Sequence, residues 1–135
     1  MTVEWKGPLP PSNFAAGRQG QQIDRLVLHT TVGWAAAADA WFHNPNAHVS
    51  AHFLVRVDGV LWQFVQNWDT AYHCEGEKGT APFWSSLNNE RSIGIEHEDE
   101  GQPFALEGGD PPIRRNELYV RSARLVAQFC REHGI

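Results

Sequence analysis

Between Phe53-Leu54-Val55-Arg56-Val57 and Val60-Leu61-Trp62-Gln63-Phe64-Val65 lies the dipeptide Asp58-Gly59. The flanking runs follow a period of two, the repeat of a strand with one face buried. Asp-Gly between such runs predicts a hairpin, with positive φ expected at both turn positions. The middle of the chain is thereby committed to sheet.

Other elements follow on either side. Ile23 to His29 carries the apolar run Leu26-Val27-Leu28 and closes on His29-Thr30-Thr31, which predicts a buried strand. Ala35 to Asn44 is alanine-rich and is stopped by Pro45, a helix with a clear terminator. Ser92 to Glu98, centred on Ile93-Gly94-Ile95, is a further short strand. Leu118, Tyr119, Ser122, Leu125, Val126, Phe129 and Cys130 fall on one helical stripe that Asn116 is placed to cap and Gly134 to end. Pro8, Pro10, Pro11, Gly17 and Gly20 leave residues 1–22 as an extended arm, and residues 68–87 and the acidic stretch to Pro112 read as loops. The expected class is α/β, a mixed central β-sheet flanked by helices, with one domain over residues 23–135. A chain of 135 residues has room for one domain and not comfortably for two.

Charge narrows the partners. Eleven Lys and Arg against sixteen Asp and Glu leave −5, so no basic face for nucleic acid is expected. From Glu90 to Asp110 there are seven acidic side chains and one basic one, Arg91, a run expected in a solvated loop. No stretch is long and apolar enough to insert in a membrane, and no signal peptide is visible at the start. Cys74 and Cys130 are too few and too far apart for a zinc ribbon or redox pair, and both are expected reduced and buried.

Two residues stand out chemically. His29 ends the first long strand, where open α/β sheets place ligands, and taken alone it reads either as a satisfied histidine or as a metal ligand. Glu96 is a carboxylate in an otherwise apolar strand. Burial there would raise its pKa and suit it to proton transfer, whereas a strand-end charge facing water is the plain alternative. Gly94 in the same strand marks a close approach by another backbone or a ligand.

Leu28-His29-Thr30, Val49-Ser50-Ala51-His52-Phe53-Leu54-Val55 with Asp58-Gly59, Asp69-Thr70-Ala71-Tyr72-His73, and Asn89 leading into Ser92-Ile93-Gly94-Ile95-Glu96 resemble the successive motifs of zinc-dependent N-acetylmuramoyl-L-alanine amidases. That family includes phage endolysins, cell-wall recycling amidases and animal peptidoglycan recognition proteins, and the resemblance runs from about Pro11 to Ile135. It implies the amidase/peptidoglycan recognition protein-like fold, with residues 23–135 as the catalytic domain. It also implies hydrolysis of the amide between N-acetylmuramic acid and L-alanine of peptidoglycan by a zinc-bound water. His29 matches the first zinc ligand, and Glu96 the glutamate that serves as general base. His73 and Asn89 match cleft residues, given substrate-contact or supporting roles. Ala51 stands where the phage lysozyme-type members carry tyrosine, and Glu96 where they carry a non-acidic residue, so the chain resembles the glutamate-using branch.

The remaining histidines read more plainly. His48 and His52, four apart in an extended segment, would lie roughly 13 Å apart at about 3.3 Å per residue. One zinc reaches only about 2 Å to each ligand. Glu96 and His97 alternate on a strand, so only one of them should line the site. His43 and His133 lie near helix C-termini, where the dipole favours a protonated imidazole.

The family's second histidine and its aspartate or cysteine ligand lie beyond the helix that here ends at Gly134-Ile135. The chain is therefore expected to be C-terminally incomplete, with further zinc ligands beyond Ile135 and weak zinc affinity on its own. The rival expectation is a non-catalytic peptidoglycan-binding module. In either case a monomer is expected, with peptidoglycan or a muropeptide as partner. The expected setting is synthesis in the cytoplasm, with action on the cell wall as an endolysin or inside the cell as a recycling enzyme.

Overall fold

The structure is a computed structural model that describes residues 2–74, 87–99 and 114–135. The expected loop residues 75–86 and 100–113 lie outside the described residues.

Five strands form the main sheet in the order β1 (Val3–Trp5), β5 (Leu61–Gln63), β4 (Phe53–Val55), β7 (Ser92–His97), β3 (Arg25–Thr30). β4 and β5 are antiparallel, while β7 runs parallel to both β4 and β3, and β1 runs parallel to β5. The sheet is mixed, as expected. A shorter sheet pairs β2 (Phe14–Ala15) with β6 (Thr70–Ala71). Helices α1 (Ala35–Phe42), α2 (Leu87–Arg91) and α3 (Arg114–His133) complete the described chain. None is long and apolar enough to cross a membrane.

Alternation along the strands divides the core between the two faces of the sheet. Ile93 and Ile95 of β7 join Phe53, Val55 and Leu61 beneath Leu118, Leu125 and Phe129 of α3. On the other face Leu54, Trp62 and Phe64 pack with Ala35 and Phe42 of α1. Tyr119, expected in the α3 stripe, is exposed, and Asn116 lies inside the helix, which starts at Arg114.

The hairpin forms with a different turn. Arg56 N–H bonds the Val60 carbonyl at 2.9 Å and Gly59 N–H bonds the Arg56 carbonyl at 2.9 Å, so the loop has three residues. Only Gly59 takes positive φ, +79°. The backbone thus follows a type I turn closed by a glycine bulge. A Cβ at Gly59 would also lie 3.0 Å from the Glu117 Cβ of α3, so two constraints require glycine.

Residues 2–22 carry β1, β2 and the turns around them, and are stitched into the domain. β1 adds an edge strand, and Asn13, fully buried, donates to the carbonyls of Phe42 (2.7 Å) and Asn44 (2.8 Å) at the end of α1. The acidic run begins buried: Glu90, Glu98 and Asp99 are all under 10% exposed. Glu98 accepts the Ala35 N–H (2.7 Å) at the start of α1 and the Val57 N–H (3.0 Å) of the hairpin loop. Asp99 accepts the Gly33 N–H at 2.6 Å. The Glu98 and Asp99 carboxylates satisfy backbone donors, which is why their burial is tolerated. Both cysteines are free; Cys74 is buried, but Cys130 is only half-buried.

Candidate metal centre and cleft

β3 and β7 run parallel in register, pairing His29 with Glu96. Paired residues of neighbouring strands share a face, about 5 Å apart. Glu96 therefore stands beside His29, and alternation sends His97 to the opposite side, against α3. There the His97 Nδ1–H donates to the His29 carbonyl (2.9 Å) and Nε2 accepts from Ser122 (2.7 Å).

Glu96 lies in a cleft of about 430 Å³ walled by the segment from Thr30 to Gly33, by Ala38 and Trp41 of α1, and by Tyr72 and His73. Its Oε2 is buried and has no hydrogen-bond partner among the described residues. Burial, helped by the charge of Asp99, pushes the Glu96 carboxyl up to about 7.

His73 comes to His29 from the loop after β6. Its Nδ1 lies 3.0 Å from His29 Nε2 and 3.2 Å from Cys74 Sγ, and its Nε2 lies 3.0 Å from Ser92 Oγ. At Gly94 the close approach comes from a side chain, not from the backbone or ligand expected: a Cβ there would sit 2.4 Å from His73 Cγ. Asn89, buried in α2, accepts the backbone N–H groups of both His73 (3.2 Å) and Cys74 (2.8 Å) through Oδ1.

Beneath the cleft, His52 is fully buried and accepts the Gly94 N–H through Nδ1 at 3.1 Å. The guanidinium of Arg18 lies 2.8 Å from His52 Nε2 and donates to the carbonyls of Asn67, Glu90 and Ser92. Burial lowers Arg18 to about 10, against the pull of Asp69 and Glu90, and leaves it charged at neutral pH. Burial also holds His29 below its ordinary value, with His97 adding to the effect. His73 falls to about 3 through burial, His29 and Arg18, and His52 is pushed well down by burial, His73 and Arg18. His29 and His73 are thereby held neutral, the form in which an imidazole nitrogen can bind a cation.

His29, His73 and Cys74 offer donor atoms that all lie within 4.8 Å of one another. Two imidazole nitrogens and one sulfur suit a borderline-soft divalent ion such as zinc. Sequence reasoning found His29 and placed His73 on the cleft wall. It missed Cys74, whose neighbour His73 was the available signal, and it missed Arg18 and His52, which only the fold brings beneath the site. His48 does not join His52; its ring lies near the Ser12 carbonyl at the surface.

A mixed sheet flanked by helices is the amidase/peptidoglycan recognition protein-like fold that solved structures share with this chain. The endolysin of Bacillus subtilis in a mutant form superposes with TM-score 0.66 at 20% identity, over all of this chain and 79% of its own. The catalytic domain of XlyA gives 0.67 at 20% identity, again over all of this chain and 79% of its own. The chain belongs to the Amidase_2 family, described as N-acetylmuramoyl-L-alanine amidase, whose model matches residues 19–135. The N-acetylmuramoyl-L-alanine amidase A of Achromobacter lyticus is 30% identical over 129 residues, and the chain spans 62% of that relative's length.

Proposed function

We propose that this chain hydrolyses the amide between N-acetylmuramic acid and L-alanine in peptidoglycan or a muropeptide, as a zinc-dependent amidase with His29 as metal ligand and Glu96 as general base. The observation that carries the reading is Glu96, a carboxylate in the cleft, in register with His29, with a buried oxygen that no described group satisfies. Such an atom is costly unless something used in function meets it.

Zinc bound there would polarise the scissile carbonyl and bring the pKa of a water near about 7. Glu96 takes a proton from the attacking water and delivers it to the nitrogen of the leaving L-alanine amine, so the carboxylate is regenerated at the end of each turnover. His97 fixes the backbone at His29 through its carbonyl bond, and so sets where the imidazole stands. His73 forms the wall against which substrate lies. Asn89 acts through the backbone of that wall, since its own side chain is buried. Exposed Trp41 and half-buried Tyr72 line the sides of the cleft and offer aromatic faces to the substrate.

Glu96→Gln keeps the shape and removes the base. Turnover should fall by about 10²- to 10⁴-fold, the usual worth of general acid–base help. Bound zinc, read by elemental analysis, should stay at the parent level. Activity within about twofold of the parent would remove Glu96 from this role.

A further inference from the structure

The side of α1 that faces the cleft is apolar and open to solvent. Ala37, Ala38 and Trp41 line the cleft, and Trp41 is 52% exposed. Trp34 stands at the N-cap, one turn before the two alanines, whose N–H groups bond its carbonyl, and it is 58% exposed. Positions 34, 37, 38 and 41 therefore form one row along the helix. Seven residues at a rise of about 1.5 Å each set the two tryptophans about 10 Å apart, with only alanine side chains between them.

The segment before α1 continues the row. Val32 lines the cleft at 81% exposure, with φ at +50°, a conformation that a β-branched residue rarely adopts. The next residue holds it there, since Gly33 gives its N–H to Asp99 and its carbonyl accepts from the Thr31 hydroxyl. Strain of this kind persists where neighbours enforce it, and it concentrates where a ligand is met. Val32, Trp34 and Trp41 together give one side of the cleft an exposed apolar rim, the mark of a binding surface.

We infer that this rim is a shelf for the glycan strand: Trp41 takes the N-acetylmuramic acid whose lactyl amide is cut, Trp34 takes a further sugar of the same strand, and the chain thereby selects substrates longer than one sugar. The inference rests on the amidase reading of the cleft and adds which part of the substrate α1 holds.

The chemistry of the rim favours sugar over peptide. A pyranose ring lays its C–H face on an indole while its hydroxyl and acetamido groups stay in water, so a half-exposed tryptophan suits it. The separation of Trp34 and Trp41 is about that of one disaccharide in a β-1,4-linked strand. The scissile amide hangs from the sugar's lactyl group, which brings that sugar into the cleft that Glu96 and Trp41 share. Among the described residues that line this cleft there is no Lys or Arg, so the carboxylates of a stem peptide would meet no counter-charge there.

The test probe is the β-1,4-linked tetramer of N-acetylglucosamine, which has the backbone of the strand without its lactyl groups or peptides. Its binding to the metal-free chain is measured by isothermal titration, so neither zinc nor turnover enters the readout. One-to-one binding is expected, weakened at least about tenfold in Trp34→Ala and kept within about threefold in Trp34→Tyr, which retains an aromatic face. No binding of the tetramer, equal binding by Trp34→Ala, or Trp34-dependent binding of a free stem peptide in its place overturns the inference. With the zinc-loaded chain, kcat/KM for a peptide-bearing tetrasaccharide should exceed that for a single-sugar muramyl peptide at least about tenfold, and Trp34→Ala should remove most of this ratio through KM. Cleavage of both substrates with equal kcat/KM sinks the shelf alone. Tetramer binding with neither substrate cleaved sinks the amidase reading alone.

Discussion

Glu96 sits where burial works against its charge, and this has a measurable consequence in the metal-free chain. Its carboxyl is raised from 4.5 to about 7, first by burial and then by Asp99. Between those values the unfolded chain releases a proton that the folded chain keeps. The Glu96 contribution therefore favours the fold at low pH, declines as pH rises from about 4.5, and is fully lost above about 7, an effect of up to about 3 kcal/mol. His29, His52, His73 and His97, held neutral by burial, oppose it, because their stabilisation is lost as pH falls below 6.5. Comparison with Glu96→Gln isolates the carboxyl. In urea unfolding of the two metal-free chains, the stability of the parent relative to Glu96→Gln should fall between pH 4.5 and 7.5. A difference that is flat with pH would contradict the burial assigned to Glu96.

At the scale of elements, what was legible in the sequence is what is local. β7, the hairpin and α3 carry apolar periodicity and β3 a short apolar run, and each stands within a few residues of its expected place, but β3, expected buried, is the edge strand of the sheet and leaves Leu28 exposed. β1 has three residues and exists because β5 offers it a parallel edge, a pairing across 58 positions in the chain that no local pattern announces. The hairpin dipeptide was legible as a turn but not its type. That depends on Arg56 and Val60 closing a three-residue loop and on Glu117 of α3 pressing against Gly59. Glu98 and Asp99 looked like solvent-facing charge because a count of acids along the chain cannot show the backbone donors that the fold brings to them. Asn13 carries a similar non-local load, bonding two carbonyls at the end of α1 and the His48 N–H. Asn13→Ala leaves these buried groups unmet and should cost about 2–3 kcal/mol in urea unfolding. A loss below about 0.5 kcal/mol would show that α1 does not depend on this cap.

At the scale of the molecule, α3 covers one face of the sheet, and α1 with the cleft takes the other. The cleft lies at the carboxyl ends of the parallel strands β3 and β7, the place where such sheets bind ligands. His29 and Glu96 were legible because both sit on strands with strong local signals. Residues 73 and 89 were placed at the cleft only by the family resemblance, and residues 18, 52 and 74 were missed, because all five reach the site through chain reversals around the sheet that no local pattern announces. The segment from Thr30 to Gly33 joins the chemistry to the fold: it walls the cleft, and Asp99 and Glu98 anchor it and the start of α1. Gly33→Pro removes the N–H that Asp99 accepts and forbids the φ of +157° found there. It should lower both thermal stability and zinc affinity, and zinc affinity unchanged within twofold would separate this segment from the site. The most direct measurement of the central claim is product analysis after the zinc-loaded chain is incubated with purified peptidoglycan. Mass spectrometry should find stem peptides with a new free α-amino group on L-alanine and glycan strands with an intact N-acetylmuramic acid lactyl carboxylate, both formed at least about 10²-fold more slowly with Glu96→Gln. Binding to peptidoglycan without release of peptides, or new reducing sugar ends in place of new L-alanine amines, would contradict it.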